Sequence, residues 1–203
     1  MPSAARQRFV SLHQKSDLLR THAGKLKKQT DAQAKLVFLH AALAAQVAAW
    51  DSYVKAVAKE YFTATADPMN PRYSGMHLLL QQRMAEAEKK LNTPNSENTR
   101  NFLLQYLGFD PWPCWNNIKF GSVLLSNALL IRDRLDEIFK LRHSFAHGFS
   151  MPTFNWNQNS AGQSHLDCKT ILSTGNFLSS LCRLTDDGLS NHIASQHSIQ
   201  KPW

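Results

Sequence analysis

Residues 36–62, LVFLHAALAAQVAAWDSYVKAVAKEYF, decide the fold class. Leu36, Leu39, Leu43, Val47, Trp50, Val54, Val57 and Tyr61 recur at steps of three and four, the spacing that lines one face of a helix. Alanine fills much of the remainder, which favours helix and lets neighbouring helices approach closely. The pattern predicts a central bundle helix from about Thr30 to Phe62. Its most apolar part, Leu36 to Trp50, is broken by His40 and Gln46 and is too short to span a bilayer, so no membrane partner is expected. Asp51 follows Trp50 at the edge of the apolar face; if buried, that carboxylate needs a cationic partner.

Upstream, Phe9, Leu12, Leu19, Ala23 and Leu26, with Ser16 filling a gap, mark a helix over residues 4–29. Lys15, Arg20, Lys25, Lys27 and Lys28 make it basic, either as a border to an RNA surface or as an ordinary solvated face. Downstream, Asp67-Pro68, Asn70-Pro71 and Gly75 are breakers, and a short helix is expected over residues 76–91. Asn92 to Ser96 is turn chemistry, with Asn95 or Ser96 as cap for a helix from Glu97 to Gly108. Pro111 and Pro113 exclude regular helix around Trp112 and Trp115. Those indoles are expected to plug the end of the bundle, base stacking being the alternative.

The next helix is expected to start between Ile118 and Ser126, capped by Ser122 or Ser126. Leu124, Ala128, Ile131, Leu135, Ile138, Arg142 and Phe145 form its stripe, and Arg132, Asp136 and Lys140 offer i,i+4 ion pairs on its outer face. Residues 150–174 read as a polar loop with room for a short hairpin, and Phe177 to Ile193 as a final helix or a pair broken near Gly188. The expected architecture is all-α, one domain over residues 1–203. It comprises a basic helix (1–29), a core bundle (30–150), and a loop with a C-terminal helix (151–203).

With 23 Lys and Arg against 15 Asp and Glu, the net charge of +8 suits a polyanionic partner, nucleic acid first. The first residues lack the apolar core of a signal peptide. Cys114, Cys168 and Cys182 are odd in number and unpaired in spacing, which argues against a disulfide framework or zinc site and for a reducing cytoplasm. No Gly-rich phosphate loop is present, and no cofactor is expected.

One stretch carries chemistry: Leu141-Arg142-His143-Ser144-Phe145-Ala146-His147-Gly148. Gly148 is a natural helix terminator, which places His147 in the last turn. On a helix, Arg142 and His147 stand about 7.5 Å apart along the axis and roughly 140° apart around it. His143 and His147 share a face, but two histidines with no third ligand nearby make a poor metal site, and none is expected. An Arg on an apolar stripe must find an acceptor, and Asp51 is the candidate. So held, the guanidinium would keep donors free for a phosphate oxygen. Imidazole exchanges protons near neutral pH. The pair suits RNA cleavage by attack of the 2′-hydroxyl on its own phosphodiester, which needs a base, an acid and charge stabilisation but no metal. One His is short of both proton roles, so two copies facing each other would complete the set.

Arg142-His143-Ser144-Phe145-Ala146-His147 resembles the Arg-x4-6-His signature of the HEPN superfamily, at the helix end where that family carries it. The helix with Trp50-Asp51, the turn Asn92-Thr93-Pro94-Asn95, Trp115, and Leu135-Asp136-Glu137-Ile138 ahead of the motif are similar to the RiboL-PSP branch. The resemblance implies an antiparallel helical bundle with additional short helices. It implies a homodimer whose motifs face one cleft, and a metal-independent endoribonuclease of toxin–antitoxin, abortive-infection or other antiviral defence systems, partnered by an antitoxin or another defence protein. Arg142 and His147 would be catalytic, with His143 and Asp51 in support. Other members are non-catalytic modules that bind nucleic acid, a nucleotide or a partner protein, and that remains the alternative.

Overall fold

The computed structural model describes residues 1–27 and 29–203; Lys28, one of the basic residues noted above, lies outside them. Along the chain come α1 (Ala4–Lys25), α2 (Ala32–Ala64), α3 (Pro71–Lys90) and α4 (Ser96–Leu107). A short 3-10 turn (Trp112–Cys114) leads into an antiparallel hairpin of β1 (Ile118–Phe120) and β2 (Val123–Leu125). Then follow α5 (Ala128–Ala146) and α6 (Cys168–His197). Among the described residues the fold is all-α apart from that hairpin and one isolated bridge, Gln158 to Ser164, in the loop before α6.

Side-chain caps set most helix starts. Ser3 accepts from the Arg6 amide, Asn70 from Tyr73, Asn95 from Asn98, Asn127 from Leu130 and Asp167 from Thr170. Three starts differ from the sequence reading, the last being α6, which opens at Cys168 behind a capping Asp167, inside the stretch 150–174 read as a loop. α3 begins at Pro71, a residue pre-set for the first helical position behind a capping Asn70. α5 begins after Asn127 rather than Ser122 or Ser126, because Ile118, Lys119 and Phe120 alternate buried, exposed, buried and pair as a strand. Leu124, expected on the helical stripe, therefore lies exposed in β2.

α2 is the axis of the bundle. Leu39, Leu43, Val47, Trp50, Val54 and Val57 are buried against its neighbours. It is long and apolar enough by composition to cross a bilayer, yet those positions form the core of the bundle. The first amides of α1 are met from two sides. Ser3 donates through its N–H and its hydroxyl to Asp186 of α6, and Ala4 and Ala5 donate to Glu60 of α2. Burial pushes both carboxyls above their ordinary range, against the pull of those donors.

α6 runs unbroken through Gly188. A Cβ there would stand 2.5 Å from the Cys114 sulfur and 3.2 Å from the Phe109 ring, so the glycine serves close packing and not a break. Asp136 bonds neither Arg132 nor Lys140. It accepts from the Ser96 amide and hydroxyl, each at 2.9 Å, and ties α5 to the start of α4.

Gly175 of α6 faces His13 and Gln46, and an added Cβ would lie 2.5 and 2.8 Å from their side-chain nitrogens. Gly175→Ala is therefore expected to destabilise the fold by about 1–3 kcal/mol through overpacking, read as a lower urea midpoint with unchanged slope.

Candidate functional site

The buried line of α5 runs Ile131, Leu135, Ile138, Leu141 and Ser144. Leu141 and Ser144, not Arg142 and Phe145, continue it past Ile138, so the stripe drawn from the sequence is off by one position at its end. Arg142 consequently stands half-buried at the core edge. Phe145 is 46% exposed and packs edge-on against His40 of α2, their ring centroids 4.0 Å apart.

The helix closes in a Schellman turn. Gly148 has φ +68°, its N–H donates to the Phe145 carbonyl at 3.3 Å, and the Phe149 N–H to Ser144 at 2.8 Å. His147 is thus the C-cap, one residue past the last helical one. Its imidazole is exposed, 4.4 Å from the His143 ring and 6.0 Å from the Phe149 ring. The motif brings Arg142, His143 and His147 to one end of α5.

Arg142 and Asp51 line the same small pocket, of about 120 Å³, between α2, the turn at residues 92–94 and α5. They do not form the ion pair expected from the sequence. Lys55, one turn along α2 from Asp51, donates to its Oδ2 at 2.9 Å, a contact that spans no cavity. Asp51 Oδ1 is buried without a hydrogen-bond partner, and Arg142 has no acidic partner among the described residues. A guanidinium cannot shed its charge, so Arg142 faces this pocket as a cation open to an anionic ligand. Among the described residues, no group of three His, Cys, Asp or Glu is placed to hold a metal.

The two tryptophans fare differently. Trp115 is fully buried and donates to the Thr185 hydroxyl at 3.0 Å, plugging the bundle as expected. The guanidiniums of Arg100 and Arg132 lie over the Trp112 ring, at 4.1 and 3.3 Å from its centre, cation–π contacts that compete with base stacking there.

Sequence reasoning passed over Asn92, read only as turn chemistry, and His40, read only as an interruption in an apolar run. Asn92 lines the Arg142 pocket. His40 is half-buried with Nδ1 unpartnered, and burial lowers its pKa.

Two outcomes are expected. Gly148→Ala meets no atom within 4 Å, so its cost is backbone strain alone. That cost, about 1–2 kcal/mol, would appear as a lower Tm. Burial also lowers the pKa of His13 and His197 from the ordinary 6.5, as it does for His40. The unfolded chain thus takes up protons that the folded chain resists. Stability is full above about pH 6.5 and is lost as pH falls below it, until the folded imidazoles also titrate. The opposing carboxyls Glu60 and Asp186 are common to wild type and His40→Gln. The urea midpoint of His40→Gln is therefore expected to fall less than that of wild type between about pH 7.5 and 5.5.

A family model described as RiboL-PSP-HEPN matches residues 11–191. Searches of curated proteins and of solved structures each found no match.

Proposed function

For a chain that belongs to the RiboL-PSP-HEPN family, we propose the function of a metal-independent endoribonuclease that works as a homodimer. The observation that carries this reading is the end of α5. An Arg without an acidic partner faces a pocket, and two exposed imidazoles stand on the same terminus. In the reaction, a base removes the proton of a ribose 2′-hydroxyl and the freed oxygen attacks the adjacent phosphorus. The bond to the 5′-oxygen breaks, and an acid protonates that leaving oxygen, giving a 2′,3′-cyclic phosphate and a 5′-hydroxyl. Arg142 stabilises the negative charge that builds on the phosphoryl oxygens. His147 serves as base in one protomer and as acid in its partner, with His143 holding the neighbouring imidazole in place. The basic composition supports an RNA partner. The reading extends to a cytoplasmic toxin or abortive-infection effector, restrained by an antitoxin or another protein of the same defence system.

A second reading has one observation in its favour. His147 accepts no hydrogen bond that would orient it among the described residues; it only packs against His143 and Phe149. That fits a non-catalytic module that binds nucleic acid, a nucleotide or a partner protein through the same end of α5.

Purified protein incubated with cellular RNA in EDTA separates the two. Wild type is expected to cut the RNA, and His147→Ala and Arg142→Ala to lose about 10²-fold or more of the rate while still binding. RNA equally intact with all three proteins would leave the module reading standing and the enzyme reading without support.

A further inference from the structure

α4 carries a row of three amide side chains. Asn98, Asn101 and Gln105 follow steps of three and four and share one helical face. That face lines a groove of about 280 Å³ between α4 and the end of α3, together with Lys90, Asn92 and Tyr106. Asn92 also lines the pocket of Arg142, so groove and pocket meet at one side chain. The wall at this junction is fixed: Asn98 donates to the Thr93 carbonyl at 2.8 Å, and Trp50 to that of Pro94 at 2.9 Å. Asn101 and Gln105 are exposed, and their amides make no hydrogen bond to another described residue.

Amides offer a donor and an acceptor side by side, as the edges of nucleobases do, and carry no charge that would favour phosphate. Tyr106, half-buried at the edge of the groove, supplies an aromatic surface. Among the described residues, Lys90 is the only charged one lining it, and it is a cation.

We propose that the α3–α4 groove is a nucleotide subsite for single-stranded RNA. It holds the nucleotide next to the phosphodiester at Arg142, with the base edge read by Asn92, Asn101 and Gln105. This placing of the phosphate rests on the ribonuclease reading above. A peptide strand would also satisfy free amides, but a groove whose one charge among the described residues is a lysine, next to a pocket where Arg142 is unpaired and Asp51 is matched by Lys55, suits a polyanion better.

The test uses the full chain with His147→Ala, so that RNA survives the titration. Labelled single-stranded oligo(A), oligo(C) and oligo(U) are titrated by fluorescence anisotropy, without and with Asn101→Ala and Gln105→Ala added together. Both positions are exposed on a helix that alanine favours, and circular dichroism checks that the fold is kept. The added substitutions are expected to weaken binding about fivefold or more and to bring the affinities for the three oligonucleotides closer together. Unchanged affinities and ratios, or no RNA binding by either protein, would overturn the subsite; unchanged ratios are also what a groove built for a protein segment gives. Cleavage by wild type in EDTA is scored separately, so failure of the ribonuclease reading appears as intact RNA and failure of the subsite as unaltered binding.

Discussion

Burying an indole N–H without an acceptor costs free energy, and the one on Trp50 finds the carbonyl of Pro94. Much of the site depends on that bond. It is made by a fully buried side chain on α2 and holds the turn that walls the Arg142 pocket. The Thr99 hydroxyl donates to the same carbonyl at 3.0 Å, so α4 is fixed to it as well. Trp50 also packs against Trp115, whose own N–H reaches Thr185 on α6. One position on the central helix therefore sets the placing of α4, the end of the bundle and the rear wall of the pocket.

Charge at the pocket is arranged by proximity along a helix. Lys55 lies one turn from Asp51 and reaches it without crossing open space, which leaves Arg142 unpaired. An ion pair across the cavity would have filled the pocket with the protein's own groups. A half-buried cation without an ion-pair partner costs stability, and in the proposed reading an RNA phosphate supplies the missing acceptor. The Schellman turn then holds His147 just past the last helical residue, in solvent and beside His143. α5 thus ends in a half-buried arginine and a more exposed pair of imidazoles.

Periodicity carried far in this chain where an element was long. The α2 stripe, the Asn95 cap and the Gly148 terminus could all be read from spacing and residue type, because each reflects a local rule. The misreadings were also physical. Three residues of strand, Ile118 to Phe120, are too few for period two to stand out from a helical extrapolation. Gly188 reads as a breaker until the sulfur of Cys114 is found against it. Phe145 fits a stripe drawn with straight steps, but the buried line drifts to Leu141 and Ser144 as the helix turns.

The sequence by itself determined the helical class, the central helix and an Arg and His five positions apart at a helix end before a glycine. These follow from patterns within a few turns of chain. Only the tertiary structure decided what those residues face. That Arg142 opens onto a pocket walled by residues 92–94 and that Trp112 packs against two arginines are outcomes of contact between separate elements, whereas the Asp51–Lys55 pair is an i,i+4 contact within α2. Where the partner lies on another element, it is chosen by which helix faces the side chain and how far it must reach, and neither is written in local spacing.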